Sequence, residues 1–152
     1  NAFLTVRWRM AIAFFLVIFA LLCATGLYLL DWTERYYIKS ISGDLRRESR
    51  AIAGLMQTTG TALPDLVSRV GNDLGHRITV IRSDGVVLAD SQHDHRTMPN
   101  HANRPEIRKA LALGYGTSTR YSATLKTRMM YVATSYGSER RPVGVVRVSE
   151  PL

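Results

Sequence analysis

Residues 10–30, Met10 to Leu30, read MAIAFFLVIFALLCATGLYLL and contain no charge. As a helix, 21 residues at ~1.5 Å each span ~31 Å, about the hydrocarbon thickness of a bilayer. This stretch divides the chain. Before it stand nine residues that include Arg7 and Arg9; after it comes a far more polar segment. The two arginines place the N-terminus in the cytoplasm and everything after Asp31 outside. Trp8, Tyr28 and Trp32 fall near the two ends, where interfacial aromatics sit.

Competing readings of the stretch fit less well. A cleaved signal peptide has an apolar core of ~7–15 residues and a small-residue cleavage site, and Tyr28-Leu29-Leu30-Asp31 is no such site. A lipoprotein signal needs a small residue directly before its cysteine, and Leu22 precedes Cys23. A pilin-like helix carries a glutamate near its start, and Phe3-Leu4-Thr5-Val6 has none. Cys23 is then a small apolar residue in lipid. As the single cysteine, it also excludes an internal disulfide and a Cys-rich metal site. Position 1 is Asn, and Glu150-Pro151-Leu152 follows directly on a strand-like run, so a longer protein is expected at both ends.

Outward from the span, Asp31 to Met56 continues as helix. It contains no proline, and apolar residues recur at Ile38, Ile41, Leu45, Ile52 and Leu55. The spacing is an a/d pattern broken by Glu48. Two readings stand open: an amphipathic helix lying on its own domain, or a parallel dimer stalk with those five residues in the seam. Thr58-Thr59-Gly60-Thr61 ends the helix.

Leu63, Leu66, Val67, Val70 and Leu74 mark a short amphipathic helix stopped by Gly75. Arg77–Arg82 and Val86–Ala89 are strands joined by the turn Ser83-Asp84-Gly85. Asp90 to Asn103 is a polar loop. Asn103 caps the next helix, Glu106 completes a capping box, Pro105 fits the first turn, and Ile107, Ala110 and Leu111 form its buried face. Gly114 supplies a left-handed stop. Gly116–Ser122, Met129–Tyr136 and Val143–Ser149 read as three strands, the last two joined by the loop Gly137–Pro142. Five mostly antiparallel strands with helices on a face make an α+β layer architecture.

Three strings in this order resemble the extracytoplasmic PAS-like sensor domain of bacterial two-component histidine kinases, with the phosphate-regulon (PhoR-like) group nearest. They are Asp84-Gly85-Val86-Val87-Leu88-Ala89-Asp90-Ser91, then Met98-Pro99-Asn100-His101-Ala102-Asn103-Arg104-Pro105-Glu106-Ile107. The third is Gly116 followed by Arg120-Tyr121-Ser122-Ala123-Thr124-Leu125 and Met130-Tyr131-Val132-Ala133. The resemblance covers residues 32–149. Arg82, where the family often has an acidic residue, and the basic Glu139-Arg140-Arg141-Pro142 depart from its pattern.

The resemblance implies a PAS-like (PDC/Cache-type) domain over 59–152, after a cytoplasmic stub (1–9), a transmembrane helix (10–30) and a juxtamembrane signalling helix (31–58). It implies a dimeric receptor in the bacterial inner membrane with its sensor domain outside. The kinase part that follows would use ATP and magnesium and a response regulator as partner. No histidine here sits in a phosphoacceptor setting, and Gly114-Tyr115-Gly116 lacks the rest of a nucleotide box, so no catalysis and no cofactor are expected of this segment. The same module can front a chemoreceptor or a diguanylate cyclase, or the chain can be a membrane-anchored binding or assembly protein.

Two candidate sites emerge. Asp90, His93, Asp94, His95 and His101 crowd one loop; Asp90, His93, His95 and His101 can share a metal, or titrate together near neutral pH, and ordinary solvated loop residues are the plainer account. Arg104, Arg120, Arg128 and Tyr131 can converge between sheet and loop on a carboxylate or phosphate; a helix-start arginine pairing with Glu106 or Asp90, and a solvated sheet face, are the plainer account. Charge is lopsided. Residues 31–90 carry 8 basic and 8 acidic side chains, residues 91–152 carry 10 and 4. For an external domain this favours lipid headgroups, envelope polymers or an anionic small-molecule or protein signal, and not nucleic acid.

Overall fold

A computed structural model describes residues 2–58, 63–122, 126–138 and 141–152. The elements are α1 (Ala2–Thr58), α2 (Leu63–Leu74), β1 (Arg77–Arg82), β2 (Val87–Asp90), a 3-10 turn (His95–Thr97), α3 (Pro105–Leu113), β3 (Tyr115–Ser122), β4 (Thr127–Ser138) and β5 (Arg141–Pro151). The chain divides into two units, residues 1–39 and 40–152. The expected helix stop at Thr59-Gly60-Thr61, the string Ala123–Leu125 and the loop residues Glu139 and Arg140 lie outside the described residues.

The first unit is the apolar part of α1. It is the one described helix long and apolar enough to cross a membrane, and its apolar window is not buried. Its polar atoms are handled locally, as a bilayer requires. The Thr25 hydroxyl donates to the Leu21 carbonyl at 2.8 Å and the Thr33 hydroxyl to Leu29 at 2.7 Å. Beyond the apolar run, Trp32 stacks on Tyr36 with ring centroids 5.5 Å apart.

The second unit is built on a five-stranded sheet in the order β2-β1-β5-β4-β3, with every neighbouring pair antiparallel. The central strands β1 and β5 are buried on both faces, which explains their nearly unbroken β-branched runs. On one face, Ile81, Val87, Ala133 and Val145 pack with Ile107 and Ala110 of α3. The other face meets the C-terminal part of α1. Leu45, Ser49, Ile52 and Ala53 lie along one helical face and are all buried, and the Ser49 hydroxyl meets that of Thr134 on β4 at 2.7 Å.

That packing corrects part of the stalk reading. Leu45 has no exposed surface and Ile52 is 3% exposed, so neither can line a seam with a second subunit. Ile38 and Ile41 are half-buried and Leu55 is exposed. The a/d spacing records a helix lying on its own sheet.

The start of α3 also differs from expectation. The N-cap is Arg104, without a side-chain cap, and Pro105 follows at the first turn. Glu106 does not reach back to Asn103; it is fully buried and held by arginines from the sheet. Gly114 ends the helix at φ 81°. Gly116 lets α3 approach β3, since a Cβ there would lie 2.2 Å from the Glu106 carbonyl oxygen.

Candidate functional site

A bulge in β2 prepares the site. Ile81 pairs with Val87 and Thr79 with Asp90, so a two-residue step on β1 opposes a three-residue step on β2. Val87 can therefore join the α3 core while Asp90 turns its carboxylate to Thr79 on the same face. That carboxylate has no exposed side-chain surface. It accepts from the Thr79 hydroxyl at 2.7 Å, from Arg77 Nε at 3.1 Å, and from the backbone N–H groups of Gln92 and His93 at 3.0 Å each. Burial pushes the Asp90 carboxyl up. The Thr79 hydrogen bond, the Arg77 charge and the Gln92 N–H outweigh it and hold the group below the ordinary carboxylate value.

Next to this cluster, Arg147 of β5 is buried to 2% exposure. Its Nη2 donates to Thr79 Oγ1 at 3.0 Å and its Nη1 lies 3.5 Å from Glu106 Oε1. Arg120 of β3 donates to the other Glu106 oxygen at 2.8 Å. Both guanidiniums lie over the Tyr131 ring, at 3.9 Å for Arg120 and 5.2 Å for Arg147. Two buried atoms of this cluster, Arg147 Nε and Glu106 Oε1, have no hydrogen-bond partner. Burial pulls the Arg147 guanidinium down to about 10, against the support of Glu106.

Over this floor, a cleft of about 490 Å³ opens between the sheet and the loop 91–104. Arg77, Arg104, Arg120 and Arg147 line it, with Tyr131, His93 and His101. Among the described residues no aspartate or glutamate does. His101 is buried, with Nδ1 2.6 Å from the Pro99 carbonyl. Burial first, and then the charges of Arg147 and Arg104, hold its imidazole below the ordinary histidine value.

The structure thus brings together Arg104, Arg120 and Tyr131 from the arginine set. Arg128 is exposed on β4, opposite Tyr121, and does not line the cleft. Arg104 pairs with neither Glu106 nor Asp90 in the described geometry; Arg120 and Arg77 take those partners. The three loop histidines do not converge as a set: only His93 and His101 share the cleft among them. His95 lines a separate groove of about 380 Å³ beside Leu88 and Met98, and Asp90 already spends its oxygens on four neighbours. Among the described residues no group of three His, Cys, Asp or Glu side chains is placed to hold a metal ion.

Sequence reading missed Arg77, Arg147 and the role of Glu106. The sign for Arg147 was present: a lone charge inside Val145-Val146-Arg147-Val148, in a strand otherwise fit for burial, demands a buried counter-ion.

No family model and no curated protein matches the chain. Solved structures do. The sensory domain of the Campylobacter jejuni chemoreceptor Tlp3 with isoleucine bound superposes with a TM-score of 0.63 at 13% identity, covering 75% of this chain and 53% of that one. The sensor domain of the V. cholerae histidine kinase DctB gives 0.52 at 19% identity, covering 71% and 44%. The ligand-binding domain of the Pseudomonas aeruginosa amino-acid chemoreceptor PctC in complex with GABA gives 0.56 at 10% identity, covering 72% and 56%. The chain spans about half the length of the solved chains it matches. Such identities establish fold: behind an apolar N-terminal helix, this chain carries the α+β fold of PDC/Cache-type extracellular sensory domains.

Proposed function

We propose that the chain is the membrane anchor and external sensor domain of a dimeric bacterial sensor histidine kinase, which reads a small molecule held in the arginine-lined cleft. The observation that carries this is the cleft itself, a concave site of ligand size with converging polar groups on a sensory fold. The N-terminus lies in the cytoplasm, by the charge of Arg7 and Arg9. ATP, magnesium and the response regulator belong to the kinase part of the parent protein.

A ligand biases such a receptor only by binding two domain arrangements unequally. A physical route from cleft to helix exists within the sheet domain. Arg147 lines the cleft, and Glu150, three residues on in β5, faces the other side. His76 bridges the two helix-face carboxylates, with Nε2 3.3 Å from Glu150 and Nδ1 2.8 Å from Glu48 of α1. Helix α1 runs unbroken from Ala2 to Thr58. A displaced β5 would load α1 through this bridge.

The coding sequence beyond Leu152 tests the reading. A second apolar span, a HAMP linker and a phosphoacceptor histidine support the kinase. The chemoreceptor neighbours favour one second reading, and a methyl-accepting signalling domain in that place would replace the kinase with it. A stop codon soon after Leu152 would refute both and leave an anchored binding protein.

A further inference from the structure

We infer that the cleft recognises a small oxyanion without an ammonium group, a carboxylate or a phosphate, and excludes amines and amino acids. The inference rests on the sensor reading for its biological meaning and on the lining for its chemistry. Four arginines line the cleft, and two carboxylates, Asp90 and Glu106, stand behind them. Asp90 pairs with Arg77; Glu106 is shared by Arg120 and Arg147. Two of the four positive charges are therefore uncompensated within this cluster.

Arg104 at the mouth makes no helix-capping hydrogen bond, and its planar fork suits an oxyanion. Deeper in, Arg147 lines the cleft, and its enclosed Nε lacks an acceptor. An anionic ligand supplies the negative charge that the four guanidiniums lack. An ammonium meets the reverse situation. Among the described residues no acidic side chain lines the cleft, and the Asp90 and Glu106 carboxylates behind it already face guanidiniums.

The test is calorimetric titration of the full chain in lipid nanodiscs at fixed ionic strength. Acetate, succinate and inorganic phosphate are compared with isoleucine, GABA and butylamine. Saturable binding is expected for at least one of the first three, with succinate against phosphate separating an organic from an inorganic source. Arg104→Gln and Arg120→Gln should each weaken it at least tenfold, and Arg128→Gln, outside the cleft, should leave it within twofold. Arg104→Gln guards against misfolding, because Arg120 also holds Glu106. Saturable binding of isoleucine, GABA or butylamine, lost in Arg104→Gln, would overturn the inference and leave the sensor reading intact. Absence of saturable binding by all three anions, or equal loss in Arg128→Gln, would also overturn it. Anion binding that leaves phosphorylation by the parent receptor unchanged would support the anion site and remove the sensor reading.

Discussion

Glu106→Gln should be among the most damaging isosteric changes in the sheet domain. The substitution keeps shape and volume, so no cavity term enters. It removes the negative charge that supports Arg147, which is 2% exposed, and half of the contact made by Arg120. An uncompensated buried charge costs ~3–5 kcal/mol. For a domain of about 110 residues, at ~4 °C per kcal/mol, the midpoint should fall by ~12–20 °C. That is a large share of a stability typically ~5–15 kcal/mol. The double variant Glu106→Leu with Arg147→Met removes both charges and should recover most of the loss. Near-ultraviolet circular dichroism of the tyrosines, followed through thermal unfolding of the full chain in detergent micelles, gives the readout. A midpoint shift below ~4 °C for Glu106→Gln would refute the reasoning, because the pair would then be solvated or replaceable by a neutral hydrogen bond. So would a double variant no better than the single one.

Gly116→Ala should destabilise the domain by ~1–3 kcal/mol, since its Cβ would meet the Glu106 carbonyl oxygen at 2.2 Å and force α3 away from β3; a wild-type melting point would reject that close approach. Acid should unfold the domain in two steps. His101 has a lowered folded value, so its contribution is complete above its ordinary ~6.5 and lost as pH falls through the lower folded value. The Asp90 contribution is complete above ~3.9 and lost as pH falls through its own lower value. His101→Gln should flatten the first part of the melting-temperature profile and Asp90→Asn the second; unchanged profiles would refute both assignments. His76→Ala should leave anion affinity within twofold and abolish the effect of ligand on the parent receptor's phosphorylation; normal signalling would remove the bridge as the route. If the receptor dimerises along α1, a cysteine at exposed Leu55 should cross-link between subunits in membranes and one at buried Leu45 should not, and the reverse would restore the original seam.

Element order was legible because each element announces itself locally: an uncharged run for the membrane helix, Ser83-Asp84-Gly85 for the hairpin, Pro105 and Gly114 for α3. What sequence alone could not supply was partnership across the chain. Ile38, Ile41, Leu45, Ile52 and Leu55 give one spacing for a dimer seam and for a helix on its own sheet. The burial of Leu45 and Ile52 and the meeting of Ser49 with Thr134 show which surface the helix covers. Glu106 sits where a capping box would put it, three residues after Asn103. The local bond lost to a non-local one, because two arginines offer a buried carboxylate more than one backbone N–H can. Arg120 and Arg128 looked alike, and strand register alone separates the one over Tyr131 from the solvent-exposed one on β4.

The cluster at the cleft floor has a further consequence for how the site is read. A buried ion network is often less stabilising than well-packed apolar residues of the same size. Arg147 and Glu106 also leave two polar atoms unsatisfied, a cost the fold could shed by substitution. A double variant more stable than wild type would therefore mean that stability is not what the pair contributes. The chain would be holding charge at the centre of its sheet at a net cost, and a bound anion would offset it. Thermal unfolding with and without ligand then discriminates. In wild type, saturating succinate or phosphate should raise the midpoint by an amount set by RT ln(1 + [L]/Kd). In the double variant that rise should vanish even though the fold is intact. If the double variant were more stable and still gained the full ligand shift, the buried pair would lie beneath the site without belonging to it. Arg77, Arg104 and Arg120 would then carry recognition.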